Sequence, residues 1–305
     1  MPFLVLPALI PDIRAVYDVY FSAFAADPSG SRLLKILFPN TTSFTSEDFR
    51  QAHTDGTLKW WHASETQHTF KCIDSESGKV VGMALCDVFV KPRTEEERQV
   101  PEVGWLTGEE KERAETVLMK LWGARERIWG GRSYIYVHAF AVDPEYQGLG
   151  AGSALIQGII DLANSTSLPI YLESNPEAEA IYARKGFRRV PADIAEVVHE
   201  AAVLGTESDV EVPLMVRFPQ GVYPKRVGSK TVGEMWTEWE GETKLRPKMA
   251  QAPTQELRVF LMENVAAWIW NVIGRILQIR RNHRKQGPPR CNPRLEVGGL
   301  VINGK

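Results

Sequence analysis

A glycine-rich loop stands between a strand pattern and a helix pattern in the middle of this chain. Residues 134–142 are aromatic, β-branched or alanine apart from His138, and Asp143 and Pro144 end the run, which predicts a strand followed by a turn. Residues 153–162 have a helical pattern. The loop ahead of that helix consists of Gln147, Gly148, Leu149, Gly150, Ala151 and Gly152. Glycines at a helix start let backbone N–H groups approach a ligand, and the helix dipole favours an anion, so the loop is predicted to bind a pyrophosphate. The alternative is an ordinary glycine-rich turn.

The same glycines also fit part of a dinucleotide-binding pattern. Gly148 and Gly150 open a G-x-G-x-x-G frame, and Glu173 follows at about the distance of a ribose-binding acid. The frame fails at Ser153, where the third glycine should stand, and residues 143–146 separate the strand from the first glycine. These departures make the dinucleotide site the weaker interpretation.

Two motifs in this part of the chain resemble those of the GNAT superfamily of acetyl-CoA-dependent N-acetyltransferases. The first family motif is Gln/Arg-x-x-Gly-x-Gly/Ala between a strand and a helix, and Gln147, Gly150 and Gly152 match it. The second is N-x-x-A-x-x-L-Y-x-x-x-G-F, which residues 175–187 resemble, with Tyr182 at its tyrosine. Both motifs occur in the family's order along the chain, although the fifth strand and the second motif lie closer together than in many members.

The resemblance implies an α/β (α+β) architecture of the GNAT type. This fold has a mixed, mostly antiparallel sheet that is splayed between strands 4 and 5 and flanked by helices. The sequence predicts strands at 3–9, 69–73, 79–90 and 210–218, and helices at 11–24, 46–62 and 192–204. The acetyltransferase domain would span 1–219, with an insert at 91–130 between strands 3 and 4 that contains a helix ending near residue 129. We expect this insert to cover the acceptor side, and its charged segment 95–98 to be a solvated loop.

The resemblance also assigns roles to individual residues. Acetyl-CoA is the implied co-substrate, and its expected contacts are Phe140, Ala141, Val142, Gln147, Gly148, Leu149, Gly150, Ala151, Gly152, Ser153, Asn175 and Ala178. Tyr182 stands where the family has its general acid, because a phenol near the sulfur can protonate the departing thiolate. The general base would be His138 or Glu173, and the sequence leaves this choice open. In a regular strand His138 faces the same side as Tyr136 and Phe140.

Composition excludes several other classes of protein. The formal net charge of -2 and the sequence pI of about 6.3 give no indication of nucleic-acid binding. Cys72, Cys86 and Cys291 are too few and too scattered for a disulfide framework or a zinc site, so we expect no metal and a reducing, cytoplasmic location. The first ten residues are apolar but lack a basic segment and are broken by prolines, which disfavours a cleaved signal.

The function that follows is transfer of an acetyl group from acetyl-CoA to a primary amine, most simply that of a small molecule. A protein amine as acceptor, or a catalytically idle CoA-binding module that serves as an interaction domain, remains open. Tryptophans near the expected acceptor side would suit an apolar or aromatic amine, although they also suit a core. They are Trp60, Trp61, Trp105, Trp122 and Trp129.

The C-terminal third has a different pattern. Residues 220–256 have the polar, glycine- and proline-rich composition of a linker, and 257–305 predict an amphipathic helix followed by a basic tail. Asn264, Asn271 and Gln278 recur at seven-residue spacing, so they form one polar stripe beside a broad apolar arc. A transmembrane span is disfavoured because no run of about 18 apolar residues occurs. Three roles stay open for 257–285: packing on the domain, self-association, or peripheral contact with an anionic membrane.

Overall fold

The structure, a computed structural model, describes residues 2–100 and 103–219. The linker predicted at 220–256 and the helix and tail predicted at 257–305 lie outside these residues. Within the described ranges the strands are β1 Phe3–Pro7, β2 Gln67–Asp74, β3 Val80–Phe89, β4 Tyr134–Val142, β5 Ile170–Glu173, β6 Arg188–Arg189, β7 Val198–His199, β8 Val210–Glu211 and β9 Leu214–Arg217. The α-helices are α1 Ile13–Ala26, α2 Pro28–Leu37, α3 Glu47–Ala63, α4 Gly108–Trp129, α5 Ala151–Thr166, α6 Glu179–Arg184 and α7 Ala201–Leu204.

The main sheet has seven strands in the order β1-β2-β3-β4-β5-β9-β6. All neighbouring pairs are antiparallel except β4 and β5, which are parallel. This topology confirms the predicted mixed, mostly antiparallel sheet with flanking helices. It also excludes the dinucleotide interpretation, because a doubly wound dinucleotide fold has a mostly parallel sheet.

The sheet opens between β4 and β5, as predicted. Pairing ends at Val137 and Leu172, because β5 is only four residues long while β4 continues to Val142. The last five residues of β4 therefore have no strand partner on this side within the described residues. On the other side they pair with β3, so only the backbone groups that face away from β3 remain available to a ligand.

A β-bulge in β4 changes which way its side chains point. Ala139 pairs with Leu85 and Val137 pairs with the next residue, Cys86, so His138 is the extra residue of the bulge. The prediction that Tyr136, His138 and Phe140 share one side was therefore wrong.

The clusters on the two sides of the sheet show the effect of this bulge. Before it, Tyr136 packs in a buried cluster with Trp129 of α4. After it, Phe140 lies towards Gly152 of α5, where a Cβ would stand 3.7 Å from its Cε1 atom. A bulge reverses the alternation of side chains along a strand, which places these two aromatic residues on opposite faces.

Helices cover both faces of the sheet. Successive β3 residues point to opposite faces, and Met83 packs with Val16 and Val19 of α1, whereas a Cβ on Gly82 would stand 3.6 Å from Leu155 of α5. The helix predicted inside the insert is α4, and its C-terminal end contributes to the core: Trp129 is fully buried and its ring stacks on Tyr134 at 4.5 Å. Glu95, Glu96 and Glu97 ahead of it are exposed, as expected.

Two predicted elements were wrong. Residues 192–204 do not form one helix. Ala195, Val197 and His199 are buried while the residues between them are more exposed, so the chain is extended, and only α7 is helical. The strand predicted at 210–218 is split into β8 and β9, because Pro213 has no N–H to donate to a ladder.

The sequence pattern also missed α2. Its start is marked by Asp27, whose side chain accepts the Gly30 N–H at 2.7 Å, and by Pro28 at the first helical position. No described helix is both long enough and apolar enough to cross a membrane.

Candidate active site

The first turn of α5 is an open set of backbone donors. Gly150 precedes the helix with φ of 100° and no side chain caps it. The first helical N–H bond is that from Ala154 to the Gly150 carbonyl at 3.0 Å, and the N–H groups of Ala151, Gly152 and Ser153 donate to no described acceptor. Uncapped N–H groups at the positive end of a helix dipole favour an anion.

Glycine is required at different positions of the loop for different structural reasons. Gly148 and Gly150 have φ of 75° and 100°, a region that residues with a Cβ rarely adopt. At Gly152 a Cβ would stand 3.4 Å from Val142 Cγ2, so a larger side chain would fill the space between the helix and the unpaired end of β4. The loop is tied to that strand by Gln147, whose Nε2 donates to the Val142 carbonyl at 3.2 Å.

The second motif builds the turn that holds α6. Asn175 Oδ1 accepts the Ala178 N–H at 2.9 Å, so both residues are engaged in a cap. That turn leads directly into α6, which carries Tyr182. The motif thus has a clear structural task in addition to the ligand contacts predicted from the resemblance.

Tyr182 lies on the face of the sheet that carries α5 and the glycine-rich loop before it. Its ring centroid is 6.1 Å from that of Phe140 and 5.5 Å from that of Phe187. The ring is buried, its hydroxyl has no hydrogen-bond partner among the described residues, and burial raises the pKa of the phenol. Phe140 therefore connects Tyr182 with the start of α5.

His138 lies on the opposite face, in contact with an aspartate that the sequence analysis did not select. His138 Nε2 is 2.5 Å from Asp87 Oδ2, and Thr66 Oγ1 donates to Asp87 Oδ1 at 3.0 Å. Burial acts to raise the pKa of Asp87, but the hydrogen bond and charge of His138 outweigh it, so that pKa is lowered. Asp87 thus orients the imidazole, whose side chain is 31% exposed.

Glu173 lies beside this pair. Its Oε2 accepts the Tyr136 hydroxyl at 2.8 Å, and the Tyr136 and His138 rings lie 4.0 Å apart between centroids. Burial raises the pKa of Glu173, although the charge of Arg125 and the bond from Tyr136 oppose the rise. The two candidate bases therefore differ: His138 is the more exposed residue, whereas Glu173 is only partly exposed, its Oε1 atom is buried and its Oε2 atom accepts from Tyr136.

The fold brings the predicted acid and both predicted bases to the open end of β4. It also adds Asp87 and Arg125, which the sequence analysis missed. Both had a detectable signal, since Asp87 is a lone charge in the apolar strand β3, and Arg125 falls at helical spacing with Leu121, Ile128 and Trp129 on the buried face of α4.

The tryptophans do not form one acceptor pocket. Trp129 is core, whereas Trp60 and Trp105 are each 57% exposed. Trp105 Nε1 donates to the Leu37 carbonyl at 2.9 Å, and Trp61 and Trp122 are partly buried. A pocket of about 250 Å³ lies beside β6 and β9, with Arg189, Glu196 and Glu211 among its lining residues.

Comparisons with known proteins identify the family that this sheet and loop represent. The family described as Acetyltransferase (GNAT) family matches residues 32–187. The chain therefore belongs to the GNAT acetyltransferase family and is an acyltransferase, as the sequence analysis predicted.

Individual relatives agree with this assignment. "Probable acyltransferase SID5" of Ajellomyces capsulatus is 28% identical over 149 residues, which cover 48% of this chain and 98% of that protein. Arylalkylamine N-acetyltransferase 2 from Aedes aegypti has a similar structure, with a TM-score of 0.51 and 13% identity over 72% of this chain and 99% of that one. The C-terminal condensation domain of Ebony, in complex with beta-alanyl-dopamine, gives a TM-score of 0.51 and 12% identity over 72% of this chain and 99% of that one. These two structures share the fold.

Proposed function

We propose that this protein transfers the acetyl group of acetyl-CoA to a primary amine of a small molecule by direct attack. The observation that carries the proposal is the opening of the sheet after Val137, which leaves the β5 side of the end of β4 unpaired beside the uncapped start of α5. One opening thus offers backbone donors for a thioester and an anion site for its pyrophosphate.

The residues of the loop fit acetyl-CoA. The free N–H groups of Ala151, Gly152 and Ser153 would hold the pyrophosphate, and the absence of a side chain at Gly152 leaves space beside Val142. Backbone N–H groups of Phe140–Val142 would polarise the thioester carbonyl. The bound thioester supplies the activated acetyl group.

Tyr182 would donate the proton that the departing thiolate needs. Burial keeps the phenol protonated, and a thiolate formed in the same apolar surroundings is destabilised as well, so proton transfer between them remains feasible. The unpartnered hydroxyl is free to meet the sulfur.

His138 would take the proton from the attacking amine. An alkylammonium has a pKa near 10 and must be deprotonated before it can attack. Asp87 holds the imidazole in place, and His138 is the more exposed residue, whereas Glu173 already accepts the Tyr136 hydroxyl. Asp87, Arg125 and Glu173 around His138 are partly buried, which favours an acceptor small enough to reach them.

The test combines acetyl-CoA binding with CoA release. We expect Gly150→Glu to abolish acetyl-CoA binding in calorimetry, because its side chain would be strained at this φ and its charge would repel the pyrophosphate. Gly56→Glu is the matched control, since Gly56 is exposed on α3 and nothing lies within 4 Å of its Cβ position. Unchanged affinity in a folded Gly150→Glu variant would contradict the loop assignment.

Turnover then distinguishes the alternatives. Release of CoA with small amines supports the proposal. Release only with lysine-containing peptides or proteins would indicate a protein acetyltransferase. Tight acetyl-CoA binding with no release for any amine would indicate the idle module.

A further inference from the structure

Arg125 on α4 is a partly buried cation with no carboxylate partner among the described residues. Its guanidinium carbon lies 4.3 Å from the centroid of the Tyr136 ring. The neighbouring arginines differ, because Arg93 and Arg98 both pair with Glu126 at 2.7 Å. A guanidinium carries five N–H donors, and leaving them without acceptors in a partly buried position is costly.

The acids nearest to Arg125 are already engaged with other groups. Asp87 is bound by His138 and Thr66, and Glu173 Oε2 accepts from Tyr136. Neither acid forms an ion pair with Arg125, although the charge of Arg125 acts to lower the pKa of both carboxyl groups. The arginine therefore retains free donors.

The hydroxyl of Tyr134, a fully buried residue near the guanidinium, has no hydrogen-bond partner within the described residues. The hydroxyl of Tyr171, which is also fully buried, interacts with the Glu173 carboxylate, and the Tyr134 and Tyr171 rings lie edge to face at 6.4 Å between centroids. Native proteins pair most buried polar groups, so the unpaired donors of Arg125 and Tyr134 point to a bound ligand or ordered water.

The position of Arg125 relates it directly to the proposed amine site. Arg125 and His138 both lie against the ring of Tyr136, with the imidazole centroid at 4.0 Å. An anion on the guanidinium would thus lie close to an amine that approaches His138. The carboxylates of Asp87 and Glu173 favour the ammonium end of the same molecule.

We propose that Arg125 binds a carboxylate of the acceptor, so that the preferred substrates are amino acids or other amines that carry an acid group. A planar guanidinium holds a carboxylate through two parallel N–H bonds. The neighbouring acids would repel a doubly charged phosphate more strongly than a singly charged carboxylate. This inference rests on the proposed acetyl transfer at the same site.

The experiment compares acceptors that differ only in the carboxylate. Acetyl-CoA turnover is measured with lysine against cadaverine, phenylalanine against phenethylamine, and 4-aminobutyrate against propylamine. We expect kcat/KM to be higher for the acid in at least one pair, and Arg125→Met to reduce that preference about tenfold or more, mainly through KM. Arg125→Lys should keep part of the preference, since the positive charge remains but the two parallel N–H donors of the guanidinium are lost.

The control is Arg127→Met, which removes an exposed arginine two residues along the same helix. It should keep the wild-type preference, and thermal unfolding of all three variants shows whether each is folded. A preference for the decarboxylated amine in every pair, or an equal loss for both members of a pair in Arg125→Met, would overturn the inference.

A separate readout keeps this inference distinct from the proposed function. If acetyl-CoA binds but no amine is turned over, the proposed function fails, and calorimetry with the same amino acids decides the role of Arg125. Weaker binding to Arg125→Met than to Arg127→Met supports the carboxylate site. Equal affinities, or no binding to the wild type, overturn it.

Discussion

Tyr182 lies beside Phe140 at the opening of the sheet, whereas the proposed pyrophosphate site is the loop at Gly148–Gly150. Binding and chemistry should therefore separate at this residue. We expect Tyr182→Phe to keep the affinity for acetyl-CoA and to lower kcat by about 10²-fold or more, as is typical when a positioned acid is lost. Calorimetry and CoA release measure the two quantities. Tyr17→Phe, which changes a tyrosine on α1, is the control. A wild-type kcat in Tyr182→Phe would show that Tyr182 serves only in packing.

The contact between Asp87 and His138 allows a test of which residue is the general base. Asp87 orients the imidazole of His138 through their hydrogen bond, so Asp87→Asn should lower kcat while the acidic limb of the pH–rate profile remains. We expect His138→Gln to remove that limb and Glu173→Gln to leave it in place. The reverse result for the last two variants would make Glu173 the base, and a limb unchanged in both would leave water in that role.

At the scale of elements, local signals predicted the hairpin of β2 and β3 correctly. The Asp74 carboxylate accepts from Ser77 Oγ at 2.7 Å, and Gly78 has φ of 75°, so the turn depends on residues that are adjacent in sequence. The loop before α5 was predictable for the same reason, since its glycines are required by the local backbone.

Other features depend on partners far along the chain and could not be derived locally. The bulge at His138 follows from the register of β4 against β3, and the pairing of His138 with Asp87 joins residues of two different strands. Residues 192–204 contain good helix formers such as Ala192, Ala195 and Glu196, yet Ala195 and Val197 are held in the cluster around Trp129. Tertiary packing overrode helix propensity there.

At the scale of the whole described domain, β4 divides two environments. Tyr182 and the start of α5 lie on one face, whereas His138, Asp87 and Arg125 lie on the face with α4. In the proposed reaction the acyl donor and the amine approach the same opening from different sides. The proposal is direct transfer without a covalent intermediate, because the two substrates would meet in that opening.

Buried histidines make the stability of the domain depend on pH. Burial lowers the pKa of His53 to about 4, and it lowers the pKa of His68 and His199 as well. Glu173 acts in the opposite direction, because burial raises its carboxyl pKa. The three histidines, together with carboxyl groups such as Asp87 whose pKa is lowered in the folded state, should leave a net loss of stability on acidification.

His53 gives the sharpest test of this whole-domain effect. Its ring lies among Tyr17, Phe21 and Phe49, with the nearest centroid at 4.4 Å. Its folded pKa of about 4 is below the ordinary value of 6.5, so the unfolded state binds more protons between these values. The stability that neutral His53 contributes is fully present above pH 6.5, the pKa of the unfolded state. It is lost as the pH falls towards the folded-state pKa of about 4, and the free energy of unfolding decreases by about 3 kcal/mol at most.

We therefore expect the free energy of unfolding of the wild type to fall between pH about 7 and about 4, and His53→Leu to reduce that fall. Denaturant titrations across this range measure the effect, and the comparison uses the pH dependence of each variant, so a constant change in packing cancels. His62→Leu is the control, because His62 is exposed on the same helix α3. A fall as steep in His53→Leu as in the wild type would show that His53 is not responsible, and attention would then move to His68 and His199.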